Sequence, residues 1–301
     1  MKLCTKLYSY IVITPADYTQ SMESFGTRGE SFGDIRRAYP QENLQGKHVF
    51  SVLGHGYPPF FFAEGAKSVV SFDVSHEAVA WSLLVRQAIT LFDFEKASEF
   101  FTHEPSDKSA VKSPLLVDVL STLDISERHK QVASKLYDDY SRVKQRDRFT
   151  DKSAANDRFY DNEERYNTTR GPVSEGLWRI TKSEVLPALL DTTEMPPIDF
   201  AYLSNILSWM ALKHENLSYE TKRLKQDEMT HHRAKLAQAL DSLLAEDGTI
   251  YELVLSPRIP PLMQDVDGWK GETSFMNPSS GGPLYGSQQW ATSRYMRTGR
   301  P

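Results

Sequence analysis

Residues 46–101 constrain this chain more than any other stretch. They read as an apolar strand, Lys47-His48-Val49-Phe50-Ser51-Val52-Leu53, a glycine turn, Gly54-His55-Gly56, a second apolar strand, Ser68-Val69-Val70-Ser71-Phe72, and a terminal acid, Asp73. Without Cβ atoms, the two glycines permit a tight strand-to-helix turn and close backbone approach to a ligand. Asp73 lies about 17 residues beyond Gly56, where a nucleotide-binding α/β unit places the carboxylate that accepts both ribose hydroxyls. The pattern predicts an α/β domain and an adenosine-containing ligand.

Composition narrows the partners. The 301 residues, 40% hydrophobic and 25% charged, suffice for a sizeable core, and a net charge of -5 gives no basic footprint for nucleic acid. No nucleic-acid partner is therefore expected, and a homodimer is left open. No apolar run is long enough for a spanning helix, so no integral membrane association is expected. Cys4 is the single cysteine, which rules out an intrachain disulfide framework and a cysteine metal site and suits a cytoplasmic location. Residues 1–13 are interrupted by Thr, Lys, Ser and Tyr, which favours a first strand over a leader.

Three regions follow. Residues 1–45 mix glycine, proline, serine and charge and read as a lid or extension. Residues 46–101 and 171–301 carry the α/β alternation, with short helices at 58–65 and 184–190 and longer ones at 76–92 and 219–245. Further strands are expected at 176–181, 198–203 and 249–255, and a closing edge strand at 289–295. Residues 102–170 have few strand signals and a long solvated helix at 125–148, and read as a helical insertion or cap over the cofactor.

The position of a third dinucleotide-type glycine is occupied by Pro59, and Pro58 with Pro59 removes N–H donors where a diphosphate needs them. A phosphate-free ligand fits better than NAD or ATP. The segment resembles the first half of class I S-adenosylmethionine-dependent transferases, with Ser51, Val52 or Leu53 where that family often has an acid. Downstream, Asp73-Val74-Ser75-His76-Glu77-Ala78-Val79-Ala80, Leu84-Val85-Arg86-Gln87-Ala88-Ile89, Leu91-Phe92-Asp93-Phe94-Glu95 and Phe100-Phe101 are loosely similar to the 3-amino-3-carboxypropyl transferases of betaine-lipid synthesis. Ser75 stands where those enzymes favour Asn.

The resemblance implies a Rossmann-like class I methyltransferase-type sheet, S-adenosyl-L-methionine as cofactor, and transfer of a methyl or 3-amino-3-carboxypropyl group. It also implies the site. Gly54, His55 and Gly56 would lie under the methionine part, and Asp73 with Val74 at the ribose. Ser183 and Glu184, after strand three, would face the adenine amine, although a plain helix cap explains them equally well. Ser204, a cofactor contact, and Asn205, the catalytic candidate, would meet donor and acceptor after strand four, where a helix cap is again the alternative. A non-catalytic binding or scaffold protein of the same fold is the competing reading.

Other groupings carry less. His231 and His232 with His214 and Glu228 lack the helix spacing of a zinc site, so no metal is expected. Tyr160, Tyr166 and Trp178 are candidates for an acceptor pocket, with core packing the better use of Trp178.

Overall fold

A computed structural model describes residues 44–53, 65–102, 113–147, 160, 162–183, 185–192, 196–204, 219–254, 262–263, 266–276 and 290–298. The expected first strand at 1–13 and short helix at 58–65 lie outside these residues, apart from Gly65.

The strands are β1 (His48–Val52), β2 (Ser68–Asp73), β3 (Trp178–Lys182), β4 (Ile198–Ser204), β5 (Leu244–Val254), β6 (Trp269–Met276) and β7 (Trp290–Arg297). They form one seven-stranded sheet in the order β3-β2-β1-β4-β5-β7-β6. The first five run parallel, while β7 is antiparallel to both its neighbours. At the centre, Val49, Phe50 and Val52 of β1 and Val69, Val70 and Phe72 of β2 are all buried, as parallel strands covered on both faces require. Phe50 and Phe72 stack at 4.8 Å between ring centroids and tie the two strands together.

The helices are α1 (His76–Leu91), α2 (Phe94–Thr102), α3 (Pro114–Thr122), α4 (Glu127–Asp147), α5 (Glu163–Ser174), α6 (Val185–Leu190) and α7 (Tyr219–Leu243). Crossovers between parallel strands are almost always right-handed, which for this strand order assigns helices leading from β2 to β3 to one face and those leading from β3 to β4 and β4 to β5 to the other. Accordingly α1 packs on β2, β3, α3, α4 and α5, whereas α6 packs on α7. The helices of 102–170 share the main core through Leu116, Val119, Leu136, Tyr137 and Tyr166. Tyr137 donates its hydroxyl hydrogen bond to the Phe100 carbonyl at 2.7 Å, and Tyr166 donates to the Phe92 carbonyl at 2.9 Å. These bonds lock α4 to α2, and α5 to the end of α1.

Three details differ from the sequence-based expectation. The strand expected at the closing edge is β7, which lies inside the sheet between β5 and β6. The true edge is β6, whose Lys270-Gly271-Glu272-Thr273-Ser274 has the polar, charged character of a solvated edge rather than an apolar strand signal. Finally, β5 begins at Leu244 directly after α7: Ile198 pairs with Leu244 and Phe200 with Thr249, so the intervening residues bulge. Gly248 is needed there, because a Cβ would stand 2.9 Å from both the Ala245 carbonyl oxygen and Leu244 Cδ2.

Candidate active site

Parallel strands all end at the same edge of their sheet, and in open α/β sheets ligands bind outside the carboxyl ends where the strand order reverses. Here the chain moves outward from β1 to β2 and β3, then returns to β4 on the other side of β1. The switch point lies between β1 and β4. Leu53, Asp73, Ser183 and Ser204 therefore come to one edge, although they are scattered over 151 positions of the sequence. The Gly54-His55-Gly56 turn, Glu184 and Asn205 lie outside the described residues. Ser204 ends β4, and only its backbone is described.

Asp73 is held at this edge by local hydrogen bonds. The Ser75 N–H donates to Asp73 Oδ1 at 2.9 Å, and the Ser183 N–H donates to the Asp73 carbonyl at 2.9 Å. Ser75 is the N-cap of α1: its hydroxyl accepts from the Ala78 N–H at 3.2 Å and donates to Glu77 Oε2 at 3.0 Å. One buried serine thus starts the helix and fixes the carboxylate at the strand end. Val74, beside it, is one of the large hydrophobic residues left open to solvent, at 36% exposure. An apolar side chain next to a pinned carboxylate suits a planar base carrying a hydroxylated sugar.

The strand order, with β7 the one reversed strand among the described residues, decides the architecture. The fold is Rossmann-like, of the class I methyltransferase type. No family model matches the chain, and no curated protein matches it. Among solved structures it is similar to the precorrin 8W decarboxylase of Methanobacterium thermoautotrophicum, at 11% identity and TM-score 0.39, over 89% of this chain and 92% of that one. It is also similar to the rRNA methyltransferase aviRa from Streptomyces viridochromogenes, at 12% identity and TM-score 0.42, over 95% and 93% of the two chains. An rRNA methylase from Streptococcus thermophilus aligns at 9% identity and TM-score 0.38, over 90% of this chain and 98% of that one. At these values the likeness bears on neither substrate nor activity.

The aromatic residues considered for an acceptor pocket are elsewhere. Tyr160, Tyr166 and Trp178 are sealed in the core. Tyr160 stacks on Phe101 at 5.0 Å, and the Trp178 indole N–H donates to Ser71 Oγ at 2.9 Å. Their large apolar rings favour burial, and the Tyr166 and Trp178 tips each find a partner there. The His231 and His232 rings are 6.4 Å apart, and no group of histidine, cysteine or acidic side chains among the described residues is arranged to hold a metal. A small depression at the opposite, amino edge is lined by His48, Ser68, Thr192 and Pro196. Its polar groups are already engaged: His48 Nδ1 meets Ser68 Oγ at 2.7 Å, and the His48 N–H donates to Asp199 at 2.7 Å.

Sequence reasoning missed two groups near the carboxyl edge. Lys182, the register partner of Asp73, meets His76 at the start of α1. On β5, Glu252 is the register partner of Ser204 and is buried with Arg233 and Tyr295. Its carboxylate accepts from Tyr295 at 2.9 Å, from the Leu262 N–H at 3.3 Å and from Arg233 at 3.4 Å. Burial pushes the Glu252 carboxyl above its ordinary value, while the Arg233 charge opposes the rise. A Ser-x-Glu pair beginning a periodic apolar run was a readable signal for the Ser75 cap. Nothing local marks the other contacts.

Proposed function

We propose that this chain is an S-adenosyl-L-methionine-dependent transferase that moves a methyl or 3-amino-3-carboxypropyl group to a small-molecule acceptor. The observation that carries the reading is Asp73, a carboxylate pinned at the carboxyl end of β2 one strand from the switch point. An adenosine fits there: Asp73 would accept from the ribose hydroxyls, and Val74 would cover one face of the base. Ser183 and Glu184 are assigned to the adenine amine, and Gly54, His55 and Gly56 to close backbone approach along the amino-acid part. The residues after β4 are assigned to the reacting end, with Ser204 on the cofactor and Asn205 orienting the acceptor through its amide.

When bound, the cofactor supplies a sulfonium whose attached carbons are already activated toward a nucleophile. What is left for the protein is alignment and exclusion of water, which is how a site without a general base can accelerate transfer. In this reading residues 46–101 and 171–301 form the cofactor-binding domain of a cytoplasmic enzyme, 1–45 a lid and 102–170 a helical insertion.

The test is to incubate the purified protein with S-adenosylmethionine and a metabolite extract, and to follow both by-products by mass spectrometry. S-adenosylhomocysteine reports methyl transfer, and methylthioadenosine reports transfer of the aminocarboxypropyl arm. Calorimetric binding of the cofactor with neither product supports the non-catalytic reading. Absence of binding overturns both.

A further inference from the structure

Beside Asp73, three nitrogen bases from three elements form a hydrogen-bonded chain. Lys182 Nζ at the end of β3 meets His76 Nε2 on α1, His76 Nδ1 meets His129 Nε2 on α4 at 3.2 Å, and His129 Nδ1 meets Ser126 Oγ at 2.7 Å. An ammonium only donates, so His76 Nε2 must accept, its Nδ1–H then donates to His129 Nε2, and the His129 Nδ1–H donates to the serine. With Lys182 donating, the chain runs in one direction, each ring using Nδ1–H as its donor.

The acids around the cluster keep their charge, but each already accepts from another group. Arg128 adds a further cation, and the nearby acids are engaged: Glu127 pairs with Lys130 at 3.4 Å, Glu77 accepts from Ser75, and Asp73 accepts from the Ser75 N–H. Burial first, then the charges of Lys182, His129 and Arg128, hold His76 below the ordinary histidine value, with Glu77 opposing. Lys182, Ser126 and Arg128 are exposed, so a solute can reach the cluster.

We infer that Lys182, His76 and His129, with Arg128, form an oxyanion site that takes a phosphoryl group at the rim of the carboxyl edge. An arriving oxyanion would accept from the Lys182 ammonium, with the Arg128 charge adding attraction. Proton uptake at His76 Nε2 then adds a further donor, while the His76 Nδ1–H bond to His129 is kept. Nearby positive charge disfavours a divalent cation at the same two rings, although their 3.2 Å spacing alone would suit one. The inference is independent of the cofactor reading, because anion binding here requires no adenosine.

Sulfate is the first probe, since its charge is constant where histidine titrates. Titration followed by calorimetry and by histidine ring nitrogen shifts should show one saturable site. Affinity should be at least about threefold higher near pH 6 than near pH 7.5, because the bound anion favours the protonated form of His76. Lys182→Ala and His129→Gln should each weaken binding by roughly fivefold or more while circular dichroism stays unchanged. Arg128→Ala provides a third, fully surface variant. Ribose 5-phosphate and a short single-stranded RNA without terminal phosphates separate the sources: competition by the former assigns a phosphomonoester, and competition by the latter a strand backbone. Sulfate binding that is not saturable, or that ignores all three substitutions, overturns the inference. So does zinc binding that needs both histidines and excludes sulfate.

Discussion

Asp73 and Lys182 are register partners at the carboxyl ends of β2 and β3, so a carboxylate and an ammonium leave the same face of the sheet side by side. The two residues mark adjoining parts of one edge: an acid pinned by Ser75 toward β1, and a basic cluster toward α4.

The acid is open to direct test. Asp73→Ala should raise the calorimetric Kd for S-adenosylmethionine by at least about tenfold, since each charge-assisted hydrogen bond lost is worth roughly 1.5–3 kcal/mol. An unchanged Kd in a folded variant would remove the main support for the cofactor reading.

Deeper in the sheet, Trp178 depends on Ser71. Both are buried, and the indole N–H has its partner at 2.9 Å. Ser71→Ala should cost about 1–3 kcal/mol in urea unfolding, the penalty for a buried donor left unpaired. Combining it with Trp178→Phe should give a loss smaller than the sum of the two single changes, because the second change removes the orphaned group.

The Arg233–Glu252 pair makes a stronger demand, since both side chains are buried. Arg233→Ala should destabilise by roughly 3–5 kcal/mol, leaving a carboxylate without its counter-charge. The sign of the pH dependence follows from Glu252, whose folded pKa is raised by burial. The folded state then binds more protons than the unfolded one, so this group's contribution is fully present below the unfolded carboxylate value and is lost as pH rises through the folded value. Without Arg233 the rise is larger. The variant should therefore be closer to wild type in denaturant near pH 5 than near pH 8.

His76 works in the opposite direction. Its folded pKa is lowered, chiefly by burial and then by Lys182, so the unfolded state binds the extra proton and stability falls as pH drops below the ordinary histidine value of about 6.5. Thermal unfolding in a buffer free of oxyanions should show this acid-side loss, and His76→Gln should flatten it. A slope unchanged in the variant would assign the loss to other groups.

The sequence alone determined those features that rest on neighbouring residues. Apolar runs marked β1 and β2, with Asp73 at the end of the second, and the helical period of 76–92 anticipated α1, which runs over His76–Leu91. Each is a local preference of backbone or pattern, and tertiary packing did not override it. Where partners are distant in the chain, the pattern was silent. Among the described residues β6 pairs only with β7 and needs no apolar signature, and β7 sits inside the sheet because its neighbours are chosen by long-range pairing. The contact of Lys182 with His76 spans 106 positions, and that of Arg86 with the Trp178 carbonyl spans 92. Only the tertiary structure decided these, because which side chains meet at a sheet edge is set by strand order and helix packing, and neither leaves a trace in local sequence.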